Sequence, residues 1–527
     1  MRKVYGFHEG GIGLEYLLGG KGAGLAEMSR LGIPVPPGFI ITTDAWKEYY
    51  NTKKLSDSLK AEISENINKL EKTTGKKFGG HPPLLVSVRS GAPVSMPGML
   101  DTVLNLGLND VTVENLAHET KDARFSYDCY RRFISCFGRI VLGIQKEKFD
   151  NILEAYKSKL GVQRDSELDI DALKEIVNEY KILIERETGR KFPEDVYEQL
   201  FLAVKAVFDS WFNPRAVAYR RANKIPEDLG TAVSVQAMVF GNMGNDSGTG
   251  VMFTRNPSTG EKKLYGEFLV NAQGEDLVSG VRTPQPLDYL REKFPKIYDE
   301  LISIAEKLER HLKDMQDVEF TVERGKLYIL QTRSGKRNAL AAAKIAFDMY
   351  KEGIITKEEA IKRITEVSSQ EITIQQRDPT VKVDILARGL PASPGLVTGK
   401  VVFNSDEAVT AKEKGEKVIL VRPETSPEDI QGIMAAEGVL TCRGGLTSHA
   451  AIVTRSLNKP CIVGCEAIKI DLEAEECCVE KGGVTVRIKK GDIITIDGTT
   501  GEVIMGEVPT VAQKLSEYLT VLHKELR

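Results

Sequence analysis

From Val4 to about Ser334, short apolar runs of strand length alternate with segments of helical spacing, and glycine-rich loops separate them. Such alternation predicts a multidomain α/β (α+β) protein. One stretch departs from it. Residues 109–226 are charged and helix-patterned, with Arg124–Gly143 and Asp171–Glu187 repeating apolar positions every three or four residues, and they read as a helical insertion in a domain covering 1–338. Helices are expected again over Asn338–Tyr350 and Lys357–Val367, the second opened by the capping box Thr356-Lys357-Glu358-Glu359. Neither brings a core of its own, and the polar run Ser368–Thr380 follows, so 339–388 reads as a partly helical linker. A compact domain then spans 389–506, from LPASPG to DIITIDGTTGEVIMG. The closing stretch 507–527 reads as an amphipathic helix over Val511–Leu526.

Composition adds mainly exclusions. With 527 residues, 41% of them hydrophobic, the chain can bury the cores of about three or four domains. Lysine plus arginine (72) nearly balances aspartate plus glutamate (75), a net charge of -3, so neither nucleic acid nor an anionic membrane is a partner by overall charge, and any anion must be held locally. The start MRKVYGFHEGG does not read as a signal peptide, and no apolar run approaches the roughly 20 residues of a membrane span. A cytoplasmic protein is expected. The seven cysteines form no matched CxxC pairs and read as free buried thiols.

The candidate chemistry begins at GGLTSHAAIVTR, Gly444–Arg455. Around it the pattern runs strand, helix, strand, loop, helix, strand: VILV, SPEDIQGIMAA, GVLT, CRGGLTS, HAAIVTRSL, PCIVG. Ser448 suits an N-cap, which places His449 at a helix N-terminus behind two glycines that let a ligand approach the backbone. Free N–H groups and the positive end of the helix would stabilise an anion carried on the imidazole, and would keep the ring neutral and nucleophilic near pH 7. A loop histidine more often simply hydrogen-bonds its loop; two glycines, two hydroxyls and a helix start favour a phosphohistidine.

A phosphohistidine needs a phosphoryl donor, so a nucleotide site is expected within the first 340 residues. GGKGAGLAEM places Lys21 in a glycine loop before a helix, without the spacing of a P-loop. LLVSVRSGAPVSMPGMLDT carries Arg89 from a strand into a glycine- and proline-rich loop, and GNDSGTGVMFTRNPSTGE is a second such loop; each would also suit a plain tight turn. QDVEFTVERGKLYILQTR says more. Alternation puts Asp317 with Glu319 on one strand face and Gln331 with Arg333 on one face of the next, joined by an odd loop Glu323-Arg324-Gly325. Two carboxylates and an amide oxygen are hard ligands for Mg²⁺ on phosphates, and arginine can fork onto phosphate oxygens. A solvent-facing polar hairpin explains the alternation equally well, but not the arginine and glutamine beside the carboxylates.

In order along the chain, GGKGAGLAEM, VRSGAPVSMPGMLDT, GTGVMFTRNPSTGE, EFLVNAQGEDLVSGVRTPQPL, MQDVEFTVE, LQTR, LPASPG and GGLTSHAAIVTR resemble the pyruvate, phosphate dikinase family over nearly the whole chain. The resemblance implies an ATP-grasp nucleotide-binding domain and a swivelling α/β phosphohistidine domain, hence a phosphotransferase. In that chemistry ATP transiently pyrophosphorylates His449, which then passes one phosphate to inorganic phosphate and leaves AMP and pyrophosphate. It further implies that Lys21, Arg89 and Arg333 hold the ATP phosphates and that Glu319 and Gln331, helped by Asp317, ligate Mg²⁺. Gln236, Thr249, Ser258, Glu267 and Asp276 match family positions lining the nucleotide or phosphate site. Thr447 matches a threonine reversibly phosphorylated in some members, which implies a regulatory kinase and phosphatase.

There are departures. Leu446 stands where the family usually has methionine. Members continue into a large barrel that binds pyruvate and phosphoenolpyruvate, and this sequence stops where that barrel would begin, so transfer to pyruvate is expected to need a separate or missing barrel. Two other readings are a phosphoenolpyruvate synthase-like enzyme and a non-catalytic nucleotide-sensing phosphocarrier.

Overall fold

A computed structural model describes residues 2–94, 96, 99–278, 282, 284–368, 373–377, 381, 383–446, 448–514 and 524–525. It divides into two compact units, Met1–Val239 with Tyr328–Thr332, and Phe240–Leu327 with Arg333–Arg527. The division falls after Val239, inside the expected 1–338 domain, and leaves no separate linker domain.

The first unit is built on an antiparallel sheet in the order Val4–Gly6, Gly38–Ile41, Ala232–Ala237, Val86–Gly91, Thr102–Leu106. Its central strand, Ala232–Ala237, is buried along its whole length, which is why AVSVQA lacks clean alternation. Between Asp110 and Ala222 the chain is helical, through Asp110–Thr120, Ala123–Ile140, Lys146–Leu160, Ile170–Thr188, Val196–Asp209 and Pro214–Ala222. Buried Asp128 anchors this region by accepting from Arg131 at 2.6 Å and Arg132 at 2.9 Å.

In the second unit, Gln316–Glu323, Gly248–Phe253, Tyr265–Val270 and Gln285–Pro286 pair antiparallel in that order. The turn after Glu323 is Arg324-Gly325, two residues at φ 47° and 73°, where a three-residue loop was expected. Paired left-handed residues suit a tight hairpin, and Arg324 is held there by its N–H to Ser247 Oγ at 2.9 Å.

The helices Ala339–Lys351 and Lys357–Ser368, expected as linker, instead share a core with Phe253 and Met315, filled by Ala343, Ile345, Met349 and Ile364. Buried Arg255 ties the first of them down, donating to Glu309 at 2.8 Å and to Glu352 at 3.0 Å. The terminal amphipathic helix is also corrected. Thr510–Lys514 is a strand paired antiparallel with Thr373–Arg377, an extended partner overriding local helical spacing; most of the rest of that stretch lies outside the described residues.

The remaining sheet has eight strands in the order Ile385–Arg388, Glu502–Met505, Ile493–Asp497, Leu396–Val402, Val418–Arg422, Gly438–Thr441, Cys461–Val463, Leu390–Ser393. The four from Leu396–Val402 to Cys461–Val463 run parallel. Ile419, Val421, Leu440 and Ile462 fill one face and Val418, Leu420, Val439 and Val463 the other. Both faces are therefore buried, as unbroken apolar runs such as VILV require. The two edge strands are successive in the chain, separated only by Gly389, so the sheet curls until its ends meet. All seven cysteines are free.

Candidate functional site

His449 is the first residue of the helix His449–Ser456, at the carboxyl end of the parallel strands, where loops of such sheets gather ligands. Ser448 is the N-cap and accepts from Ala451 N at 3.4 Å. Gly444, at φ 91°, turns the loop toward the cap. The imidazole is half-buried, and its Nδ1 lies 3.2 Å from Thr425 Oγ1. Burial holds its pKa below the ordinary value, against a smaller opposing pull from Asp429. A ring in this setting is neutral at pH 7 and carries one nitrogen lone pair. Thr447 lies outside the described residues.

The histidine loop meets Glu267 on the strand Tyr265–Val270. The Glu267 carboxylate, 2% exposed, accepts the Leu446 N–H, and a Cβ on Gly445 would overlap it. Arg455, two turns along the histidine helix and 1% exposed, donates to the carbonyls of Ala392 at 2.9 Å and Leu446 at 3.2 Å. The second glycine of the motif is thus required by this contact.

On the strand Gln316–Glu323, Asp317 accepts from Arg333 Nε at 2.8 Å, while its Oδ1 is buried with no hydrogen-bond partner among the described residues. Burial pushes the Asp317 carboxyl up despite the Arg333 charge. Burial also works against the Arg333 charge, but Asp317 and Glu319 outweigh it and raise that pKa. A free carboxylate oxygen beside Glu319 suits a hard cation. Among the described residues no three His, Cys, Asp or Glu side chains gather to hold a metal.

The other expected residues divide between the units. In the first unit, Arg89 donates to Leu330 O at 3.3 Å and to Gln331 Oε1 at 3.4 Å. Lys21 does not precede its helix as expected but lies inside Glu15–Arg30, two residues past a kink at Gly19, where φ is 70° and a Cβ would overlap the Gly91 carbonyl. Gln236 is turned inward, its Nε2 donating to Pro36 O at 3.0 Å, because the whole of its strand is buried.

In the second unit, Thr249 is buried and bonds Phe320 O at 3.3 Å, and Asp276 accepts from Gln273 N at 2.8 Å within its own turn. Ser258 is buried with no partner for its Oγ among the described residues. Sequence reasoning missed Thr425, Asp429 and Arg455. The position of Thr425, in a loop after a parallel strand, was the available signal for it.

The model of the pyruvate phosphate dikinase AMP/ATP-binding domain matches residues 15–72, 52–296 and 292–354, more than half of the chain. The chain belongs to the pyruvate, phosphate dikinase family. The mobile domain of PEP-utilising enzymes matches residues 414–501, which contain His449. Among similar dikinases, that of Clostridium symbiosum is 53% identical over 97% of this chain and 59% of its own length. The Entamoeba histolytica dikinase is 52% identical over 97% of this chain and 58% of its own length, and a chloroplastic dikinase of Arabidopsis thaliana 50% over 97% and 53%. The chain therefore spans between half and three-fifths of the length of these dikinases. Among the described residues, no helix is long and apolar enough to cross a membrane.

Proposed function

We propose that this chain carries out the ATP- and phosphate-dependent phosphorylation of His449. The observation that carries the reading is a half-buried imidazole of depressed pKa at the first residue of a helix, in the segment matching the mobile domain. An imidazole lone pair attacks the β-phosphorus of ATP, the N–P bond forms, and the P–O bond breaks with its electron pair leaving on AMP. An oxygen of inorganic phosphate then attacks the γ-phosphorus, releasing pyrophosphate and leaving one phosphoryl group on the ring. Free N–H groups at the helix start stabilise the negative charge brought to the ring.

Lys21, Arg89 and Arg333 are assigned to the polyphosphate. Asp317, Glu319 and Gln331 are assigned to Mg²⁺, which would neutralise phosphate charge when bound. Thr249, Ser258, Asp276 and Gln236 are assigned to the walls of the nucleotide or phosphate site. Glu267 is assigned there too, by way of the histidine loop it holds. Pyruvate, from the name of the relatives, is the proposed final acceptor. Phosphorylation of Thr447 by a regulatory kinase would place up to two negative charges two residues from the nucleophile and repel the polyphosphate.

The test is isotopic. With ATP labelled at the β-phosphate, Mg²⁺ and inorganic phosphate, label should stay on the protein, labile to acid and stable to base, with AMP formed in step. Label from the γ-phosphate should leave as pyrophosphate. Retention of γ-label on the protein, or labelling of a His449→Asn variant, would overturn the reading.

A further inference from the structure

Thr425 Oγ1 lies 3.2 Å from His449 Nδ1. His449 begins a capped helix. Thr425 immediately precedes Ser426, whose N–H donates to buried Asp429 at 2.9 Å, and Asp429 in turn accepts from Ser405 Oγ at 2.7 Å. The hydroxyl is therefore held against the ring from a second loop, anchored to the helix Ser405–Glu413.

We propose that Thr425 is a positioning residue: its hydroxyl oxygen accepts the His449 Nδ1–H, fixes the neutral ring as the Nδ1–H tautomer and leaves the Nε2 lone pair to attack phosphorus. The catalytic purpose rests on the reading of His449 as the phosphoryl acceptor; the tautomer does not. A carboxylate at this place would orient the ring equally well but would favour imidazolium, which has no lone pair to give. A hydroxyl orients without charging. When Nε2 bonds phosphorus and the electron pair of the breaking P–O bond leaves on AMP, positive charge spreads over the ring to Nδ1–H. The bond to Thr425 then becomes charge-assisted, so it is stronger in the transition state than in the free enzyme.

The test uses the full chain labelled with ring-¹⁵N histidine, with His449→Asn identifying the His449 signals among six histidines. Two-bond ¹H–¹⁵N correlations should show a single Nδ1–H tautomer in the wild type and in Thr425→Ser, and a mixture in the near-isosteric Thr425→Val. Phosphate uptake should slow about tenfold in Thr425→Val and return in Thr425→Ser. An unchanged tautomer in Thr425→Val, or an Nε2–H ring in the wild type, would overturn the proposal. Loss of the tautomer preference in Thr425→Val, with no phosphate uptake by any variant including wild type, would support the positioning role and overturn the reading of function instead.

Discussion

The histidine loop and the strand bearing Asp317 handle charge in opposite ways. Around His449 stand a hydroxyl, glycines and a helix start, and burial outweighs the pull of Asp429 and keeps the ring uncharged. At Asp317 full charges stand together, with Arg333 at 2.8 Å and Glu319 two residues along the same strand. A nucleophile gains by losing its proton, so its surroundings withhold charge. A phosphate grip, the role proposed for Arg333, gains by keeping charge, and Asp317 and Glu319 supply the counter-charge.

That contrast is broken most directly at His449, the proposed nucleophile. His449→Asn should abolish phosphate uptake while ATP binding, measured by calorimetry, stays within about twofold, because the residues assigned to the polyphosphate all lie elsewhere in the chain. Substantial labelling of the variant would mean that the nucleophile is another residue.

Removing charge from the other region should give a smaller, graded loss. Arg333→Ala deletes a charge-assisted contact, and uptake should fall about ten- to a hundredfold, or roughly 1.5 to 3 kcal/mol. Unchanged kinetics together with unchanged ATP affinity would remove Arg333 from the phosphate grip.

Gly445→Ala sharpens the comparison, because it tests a carboxylate seated against the histidine loop. Its Cβ would overlap the Glu267 carboxylate and should cost about 1 to 3 kcal/mol in reversible unfolding. The same change in a Glu267→Ala background should cost much less. Equal effects in both backgrounds would show that the contact is not kept in solution.

The smallest effect is on pH dependence. A histidine pKa held below the ordinary value of about 6.5 means that phosphate uptake should stay level as pH falls through 6.5 and drop only below it. The sign for stability is the same. Because folding disfavours the protonated ring, the contribution of His449 is complete above the unfolded value and is lost as pH falls through the folded one. A loss of uptake beginning above pH 7 would show that the ring is not shielded.

The α/β character and the histidine helix could be read from the sequence because their causes are local. Apolar runs such as VILV and GVLT need both faces covered, and a serine before HAAIVTR is a cap whatever surrounds it. What could not be read depends on distant partners. The helices Ala339–Lys351 and Lys357–Ser368 look coreless until Phe253 and Met315 complete their packing, and Thr510–Lys514 extends because Thr373–Arg377 lies beside it. Gln236 and Arg89 show the same limit within the site: alternation places a side chain on a face, but only the fold says that one bonds Pro36 and the other Gln331.

Gly389 gives the curled sheet one more property. Its N–H bonds Gly501 O at 2.9 Å, and a Cβ there would crowd Ile462 and Val463, so the seam between the sheet ends closes through a residue with no side chain. The strands at the two ends of this sheet are only four residues long each, so the edge that each offers to another chain is short.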